Sequence, residues 1–135
     1  MSYLIDTNIL SELRRGSREP MRWLAPVDPE RLYVSVLTLG EIERGVVKLA
    51  KRDTVGANRL ADWLSVTRTD FGARTLPITE GIALEWGRMP MRRTIGVVDA
   101  LIAATAIAHG LEMVTRNVRD FADTGVKLIN PWHET

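Results

Sequence analysis

Three aspartates and two glutamates stand where a fold could gather them. Asp6 directly follows the apolar run Tyr3-Leu4-Ile5, Asp99 heads the apolar stretch that ends at Ala108, and Asp120 lies in the polar segment after Leu111–Thr115. Glu41 and Glu43 sit between them on a predicted helix. Carboxylates brought together repel one another and raise each other's pKa values. A hard divalent cation resolves that conflict, and oxygen ligands favour magnesium or manganese. Such an ion acidifies a bound water, orients a phosphodiester and stabilises an in-line transition state. The chain has no cysteine and only two histidines, His109 and His133. That excludes disulfides, thiol catalysis and cysteine-ligated zinc, and is too few imidazoles for a histidine-rich zinc site.

The elements that must position these acids follow from the apolar pattern. Asp99 is the single charged side chain between Ile95 and Ala108. A segment so apolar, and too short to span a membrane, is a helix buried in a globular core. A carboxylate at its start is costly unless helix-end N–H groups, cations or a metal ion meet it. The plain alternative is an acid steadied by the helix dipole. Tyr3–Ile5 reads as a buried strand delivering Asp6 at its C-terminal end, where open parallel sheets place their ligand crevice. Alternatively Asp6 or Asn8 caps the helix that Ile9 begins; both hold if Asn8 or Thr7 caps and Asp6 faces the crevice. Ser35 suits the N-cap of a helix running to about Lys51. On its wheel Leu39, Ile42, Val46, Leu49 and Ala50 form the apolar face, with Glu43 inside or beside it and Glu41 opposite. The wheel thus nominates Glu43 as the partly buried acid. Gly45, which costs helix stability, points instead to a close approach on the Glu41 side.

Further helices are predicted over Glu19–Leu24, Val55–Phe71 and Thr79–Met89, and further strands over Leu32–Val34, Leu76–Ile78, Leu111–Thr115 and Val126–Ile129. Strands alternating with helices argue an α/β fold around a parallel sheet. Leu60, Trp63, Leu64, Val66, Leu84 and Trp86 are expected in the core or on a dimer surface. At 135 residues the chain is expected to be a single domain over 1–135, with ordinary soluble composition, 45% hydrophobic and 26% charged. Eighteen basic residues against 17 acidic leave no overall positive field, so any nucleic-acid site must be a local patch. Two such patches are visible: Arg14-Arg15-Gly16-Ser17-Arg18, and the loop Pro90–Gly96 with Arg88, Arg92 and Arg93. Each is either a solvated loop or a phosphate-contacting surface. Neither a signal peptide nor a transmembrane run is visible, which predicts a cytoplasmic protein.

Four motifs follow in order: Asp6-Thr7-Asn8, Ser35-x-x-Thr38-x-x-Glu41-Ile42-x-x-Gly45, Asp99-x-x-Ile102-Ala103-Ala104-Thr105-Ala106, and Thr115-Arg116-Asn117-x-x-Asp120-Phe121. Together they resemble the PIN-domain family across essentially the whole chain. The resemblance is nearest to VapC-type toxins, including the FitB-like group that ends in a similar Asn130-Pro131-Trp132. It implies a three-layer α/β/α sandwich around a short, mainly parallel sheet. It also implies a magnesium-dependent endoribonuclease, the toxin of a toxin–antitoxin pair, working as a homodimer and silenced by an antitoxin that is often DNA-binding. Carried over residue by residue, Asp6, Glu41, Asp99 and Asp120 match the family's catalytic, metal-binding acids, with Asp6 and Asp99 the strongest ligands and Mn2+ a possible substitute for Mg2+. The match to Glu-Ile-x-x-Gly selects Glu41 over Glu43. Thr115 and Asn117 are expected to order the site by hydrogen bonds. Arg14, Arg15 and Arg116 are candidates for RNA phosphate contacts, or for docking acidic residues of the antitoxin. The rival from another class is a non-catalytic PIN-like module that binds RNA or protein. Deoxyribonuclease activity is a nearer competitor, since metal-bound carboxylates hydrolyse either polymer.

Overall fold

The computed structural model describes residues 1–90 and 95–133; Arg92 and Arg93 of the second basic patch lie outside the described residues. Five short strands form one sheet: β1 (Tyr3–Ile5), β2 (Leu32–Ser35), β3 (Thr75–Leu76), β4 (Glu112–Val114) and β5 (Leu128–Ile129). They lie in the order β3-β2-β1-β4-β5, and every neighbouring pair is parallel. The connecting helices are α1 (Thr7–Arg15), α2 (Arg18–Leu24), α3 (Val36–Ala50), α4 (Thr54–Phe71), α5 (Glu80–Arg88), α6 (Val97–Ala108) and α7 (Val118–Phe121).

Side chains alternate across a strand, and that alternation builds the layers. Leu4, Tyr33, Met113 and Leu128 join one apolar cluster with Ile82 of α5, Ile102 of α6 and Phe121 of α7. Ile5, Val34, Val114 and Ile129 join the other, with Ile9 and Leu10 of α1, Ile42 of α3 and Leu64 of α4. The sheet is therefore sandwiched between two helical layers, and both faces of its strands are apolar, as parallel sheets require. The predicted buried helix is α6. Its Ala100, Ala103, Ala104 and Ala106 have no exposed surface, and these small side chains let it lie close against the sheet and α5. Its one internal hydroxyl, on the buried Thr105, donates to the Leu101 carbonyl at 2.7 Å and so needs no other partner.

The topology decides where the site must be. From β1 the chain winds outward to β2 and β3, then crosses to the other side of β1 for β4 and β5. The winding reverses between β1 and β4, and open α/β sheets form their ligand crevice beyond the C-terminal strand ends at such a reversal. Asp6 and Thr115 are the residues immediately after those two strands.

Several elements differ from expectation. The third strand is only Thr75–Leu76, because Pro77 has no N–H to continue a ladder. Val126 is buried but outside the last strand, which is two residues long. The polar segment after β4 winds into the single turn α7. Of the residues expected in the core or on a dimer surface, Val66 and Leu84 lie outside the core, both more than half exposed. Among the described residues no helix is long and apolar enough to cross a membrane.

Candidate active site

Asp6 leaves β1 with its backbone N–H still bonded to the Val114 carbonyl of β4 at 2.9 Å, so its position is set by the sheet itself. Its side chain is 4% exposed. The capping role falls to Asp6 and not to Asn8 or Thr7: its Oδ1 accepts from the Thr7 N–H at 2.8 Å at the start of α1. Oδ2 accepts from the Thr115 hydroxyl at 2.8 Å and from the Asn8 amide at 3.1 Å. An ionised carboxylate has about four acceptor positions. Among the described residues three are filled by these donors, which leaves one on Oδ1. One residue therefore both caps the helix and keeps an acceptor position open.

Thr115 is fully buried and ties the two strand ends together. While donating to Asp6, its oxygen accepts from Asn8 Nδ2 at 3.2 Å and from the Asn117 N–H at 3.1 Å. Asn117 thus contributes to this network through its backbone, while its side chain is exposed. Replacing Thr115 with valine, nearly the same shape, should weaken manganese binding roughly 10–100-fold, as loss of a ligand-orienting partner does. Calorimetric titration reads this directly, and unchanged affinity would show that Asp6 holds its orientation without Thr115.

Ser35 caps α3 as expected, its hydroxyl accepting from the Leu37 N–H at 3.0 Å. The helix buries Thr38 and Ile42, half-buries Glu41 and leaves Glu43 exposed. The helical wheel therefore points to the wrong glutamate. Glu41 lies at the crevice, where its Oε1 accepts from the Thr7 hydroxyl at 2.6 Å, and that hydroxyl oxygen is 3.1 Å from Thr38 Oγ1. The close neighbour of Gly45 is Leu60 of α4, whose Cδ2 would stand 3.7 Å from an added Cβ. Asp99 lies in the first turn of α6, which Gly96 opens without a side-chain cap. Asp120 is exposed on α7.

Electrostatic coupling links the acids in a chain. Burial pushes the Asp6 carboxyl up to about 6 against the hydrogen bonds from Thr115 and Thr7, with Asp99 and Glu41 adding to the rise. Burial also raises Asp99, helped by the charges of Glu41 and Asp120. The charge of Asp99 thus acts on Asp6, and those of Glu41 and Asp120 act on Asp99. Among the described residues no three acids form a ready ligand cage. The donor set fits a magnesium ion, which keeps several waters and takes one or two protein carboxylates. His109 ends α6, at the opposite end from Asp99, so no imidazole from that helix joins the acids.

The arginines frame the crevice. Arg14 lies over the Trp63 ring at 5.7 Å, Arg15 is 3.6 Å from Glu12, and Arg116 is 3.0 Å from the same carboxylate. A groove of about 270 Å³ runs from Thr7 and Glu41 past Arg14, Arg15 and Gly45 to Trp63. Thr7, Asn8 and Thr38 are site residues whose roles sequence reasoning missed. They were visible within the motifs, but only as a cap or as spacing.

The model of the PIN domain family matches residues 3–127. The VapC ribonuclease Y4jK of Sinorhizobium fredii is 31% identical, covering 96% of each chain. Toxin FitB of Neisseria gonorrhoeae is 31% identical over 97% of this chain and 99% of its own. The crystal structure of FitAcB from that organism superposes with a TM-score of 0.88, at 31% identity, covering 98% of this chain and 99% of that one. A toxin–antitoxin complex from Klebsiella pneumoniae has a chain 30% identical with a TM-score of 0.69, covering 96% of this chain and 98% of that one. With the sheet order, the switch-point crevice and these similarities in agreement, the chain belongs to the PIN-domain family.

Proposed function

We propose that the protein is a metal-dependent endoribonuclease, the toxin of a toxin–antitoxin pair, hydrolysing RNA phosphodiester bonds at the β1/β4 crevice. The observation that carries this is the built crevice at the two strand ends: the buried Asp6 is fixed by Thr115, Asn8 and the Thr7 N–H, while the Thr7 hydroxyl meets Glu41, and the charges of Asp99 and Glu41 help raise Asp6. Carboxylates held in mutual repulsion at a switch point are a cation site in search of its charge. The Sinorhizobium fredii relative is named a ribonuclease, and the Klebsiella pneumoniae structure is a toxin–antitoxin complex; these support the substrate and the biological role.

Asp6 and Asp99 would anchor Mg2+, or Mn2+ in its place, with Glu41 and Asp120 completing the acidic wall. The cation supplies positive charge to the scissile phosphate and lowers the pKa of an attacking water. The chain's own residues do the rest. Thr115, Asn8 and the Thr7 N–H fix the plane of Asp6, and the Thr7 hydroxyl aims Glu41. Arg14 and Arg15 offer positive charge along the groove that leads to Glu41, for an RNA phosphate or for an acidic segment of the antitoxin. The exposed Leu84 of α5 and Val97 and Val98 of α6 supply an apolar face that supports a homodimer. Action on cellular RNA fits a cytoplasmic location.

The test is incubation of purified protein with total cellular RNA in magnesium, manganese or EDTA, together with two matched variants. Cleavage should need the metal. Glu41→Gln should slow it at least about tenfold, as loss of a group that binds or orients the metal does, whereas Glu43→Gln should cut like the parent. Cleavage that persists in EDTA, or equal effects of the two substitutions, would remove the metal site from the reading.

A further inference from the structure

The segment that carries Thr115 is not held by the sheet alone. Arg116, the next residue, is gripped at four points by two parts of the chain. Its backbone N–H donates to Asn8 Oδ1 at 3.2 Å, and its guanidinium donates to Glu12 Oε1 at 3.0 Å. Its carbonyl accepts from Asn130 Nδ2 at 3.4 Å, and the guanidinium lies over the Trp132 ring at 4.3 Å. Asn8 and Glu12 are four residues apart on α1 and so share one face of that helix. The far side of the clamp is the C-terminal segment, stiffened by the Trp132 N–H donating to Asn130 Oδ1 at 3.0 Å.

The consequence reaches the carboxylates. The same Asn8 amide that accepts from the Arg116 N–H donates through its nitrogen to Asp6 Oδ2 and to Thr115 Oγ1. An amide fixed at its oxygen is fixed at its nitrogen, so the Arg116 backbone determines how Asn8 meets Asp6. The guanidinium itself is already spoken for. Its charge faces Glu12, whose other oxygen accepts from the Ser17 hydroxyl at 2.5 Å, and one of its planar faces is taken by an indole. A cation so engaged is a strut more than a free phosphate contact.

We propose that Arg116, clamped between Glu12 and Trp132, is a positioning residue: it locks the Thr115–Asn117 segment onto Asn8 and thereby sets the orientation of Asp6. Trp132 and Asn130 make the C-terminal segment part of the same device. This rests on the carboxylate site proposed above, so its test includes a measurement that needs no RNA.

The variants are Trp132→Leu, which removes the stacking face, Trp132→Phe, which keeps a ring, and Glu12→Gln, which removes the ion pair without touching the tail. Manganese affinity is read by electron paramagnetic resonance without substrate; kcat, KM and the salt dependence of KM are read on a cleaved RNA. Trp132→Leu and Glu12→Gln should each weaken manganese binding about tenfold and lower kcat; KM for RNA should be unchanged in Trp132→Leu, the variant that leaves the Arg15–Glu12 pair intact. Trp132→Phe should recover most of the loss. The opposite pattern overturns the proposal: unchanged manganese affinity, a raised KM and a salt slope shallower by about one, which is the signature of a lost phosphate contact. Wild-type protein that binds manganese but cuts no RNA would sink the nuclease reading alone, because the metal measurement still decides the role of Arg116.

Discussion

Replacing Asp99 with asparagine should lower metal-dependent RNA cleavage at least about a hundredfold while leaving the metal-free protein as stable as the parent or more so. The two effects have one cause. Asp99 acts on Asp6 and is acted on by Glu41 and Asp120, so its charge would attract a cation and adds to the repulsion without one. Asparagine has the same shape and keeps an oxygen, but neither the charge nor the repulsion. Residues kept for function at the expense of stability show this opposition. Circular dichroism and urea unfolding in EDTA measure one side, and single-turnover cleavage measures the other. A folded Asp99→Asn protein with full activity would remove Asp99 from the chemistry. A variant that unfolds would make it a structural acid.

The second large effect is a dependence of stability on pH that reverses when metal is added. The Asp6 carboxyl has an ordinary value of 3.8 and is pushed up to about 6 in the folded protein. Between those values the native state binds a proton that the unfolded chain does not, so stability must fall as pH rises through that window. The contribution is fully present below about pH 3.8 and lost above about pH 6. For a group so deeply buried it amounts to about 3 kcal/mol, and Asp99 acts in the same direction. In EDTA the urea midpoint should therefore rise as pH is lowered from 7.5 to 5. Saturating magnesium should restore the neutral-pH loss, because the ionised acids then face a cation and binding to the native state alone stabilises it. A midpoint in EDTA that stays flat or climbs with pH, and ignores magnesium, would show that the acids do not form one site.

The placement of Asp6 and Asp99 on their elements was legible because it follows from two coarse features, a strand end and a buried helix start. Tyr3–Ile5 ends in Asp6 and α6 begins near Asp99, and a parallel sheet brings such points to one edge. The choice between Glu41 and Glu43 was not legible from periodicity. The wheel weighs all apolar neighbours alike, whereas α3 is pressed on one side by Leu60 of α4 and on another opens to the crevice beside Thr7. Glu41 came from the motif, and the structure half-buries it beside the Thr7 hydroxyl while leaving Glu43 exposed. The shared work of Thr7, Asn8 and Thr38 was hidden for a different reason: Thr7 meets Glu41 across 34 residues and Asn8 meets Thr115 across 107, separations that spacing does not encode. Arg74 was missed in the same way. Its guanidinium donates to the Pro29, Leu32 and Asp70 carbonyls and stitches the start of β2 to the end of α4, without any local pattern to announce it. The two-residue strands β3 and β5 are too short for alternation to register at all.

The central position of β1 bears on when the protein can act during its own synthesis. Asp6 and Glu41 emerge early, with β1, β2 and β3 able to pair as soon as they leave the ribosome. The partner on the other side of β1 is β4, and the Thr115 hydroxyl that fixes Asp6 lies 109 residues downstream. Until that late strand inserts, the crevice has one wall, and neither Asp99 on its buried helix nor Asp120 has a fixed place in it. A chain that stops short of β4 lacks the Thr115 hydroxyl that fixes Asp6. On the proposed reading, the acidic crevice is complete only once β4 has taken its place beside β1, so the strand order ties any chemistry there to the late part of the sheet.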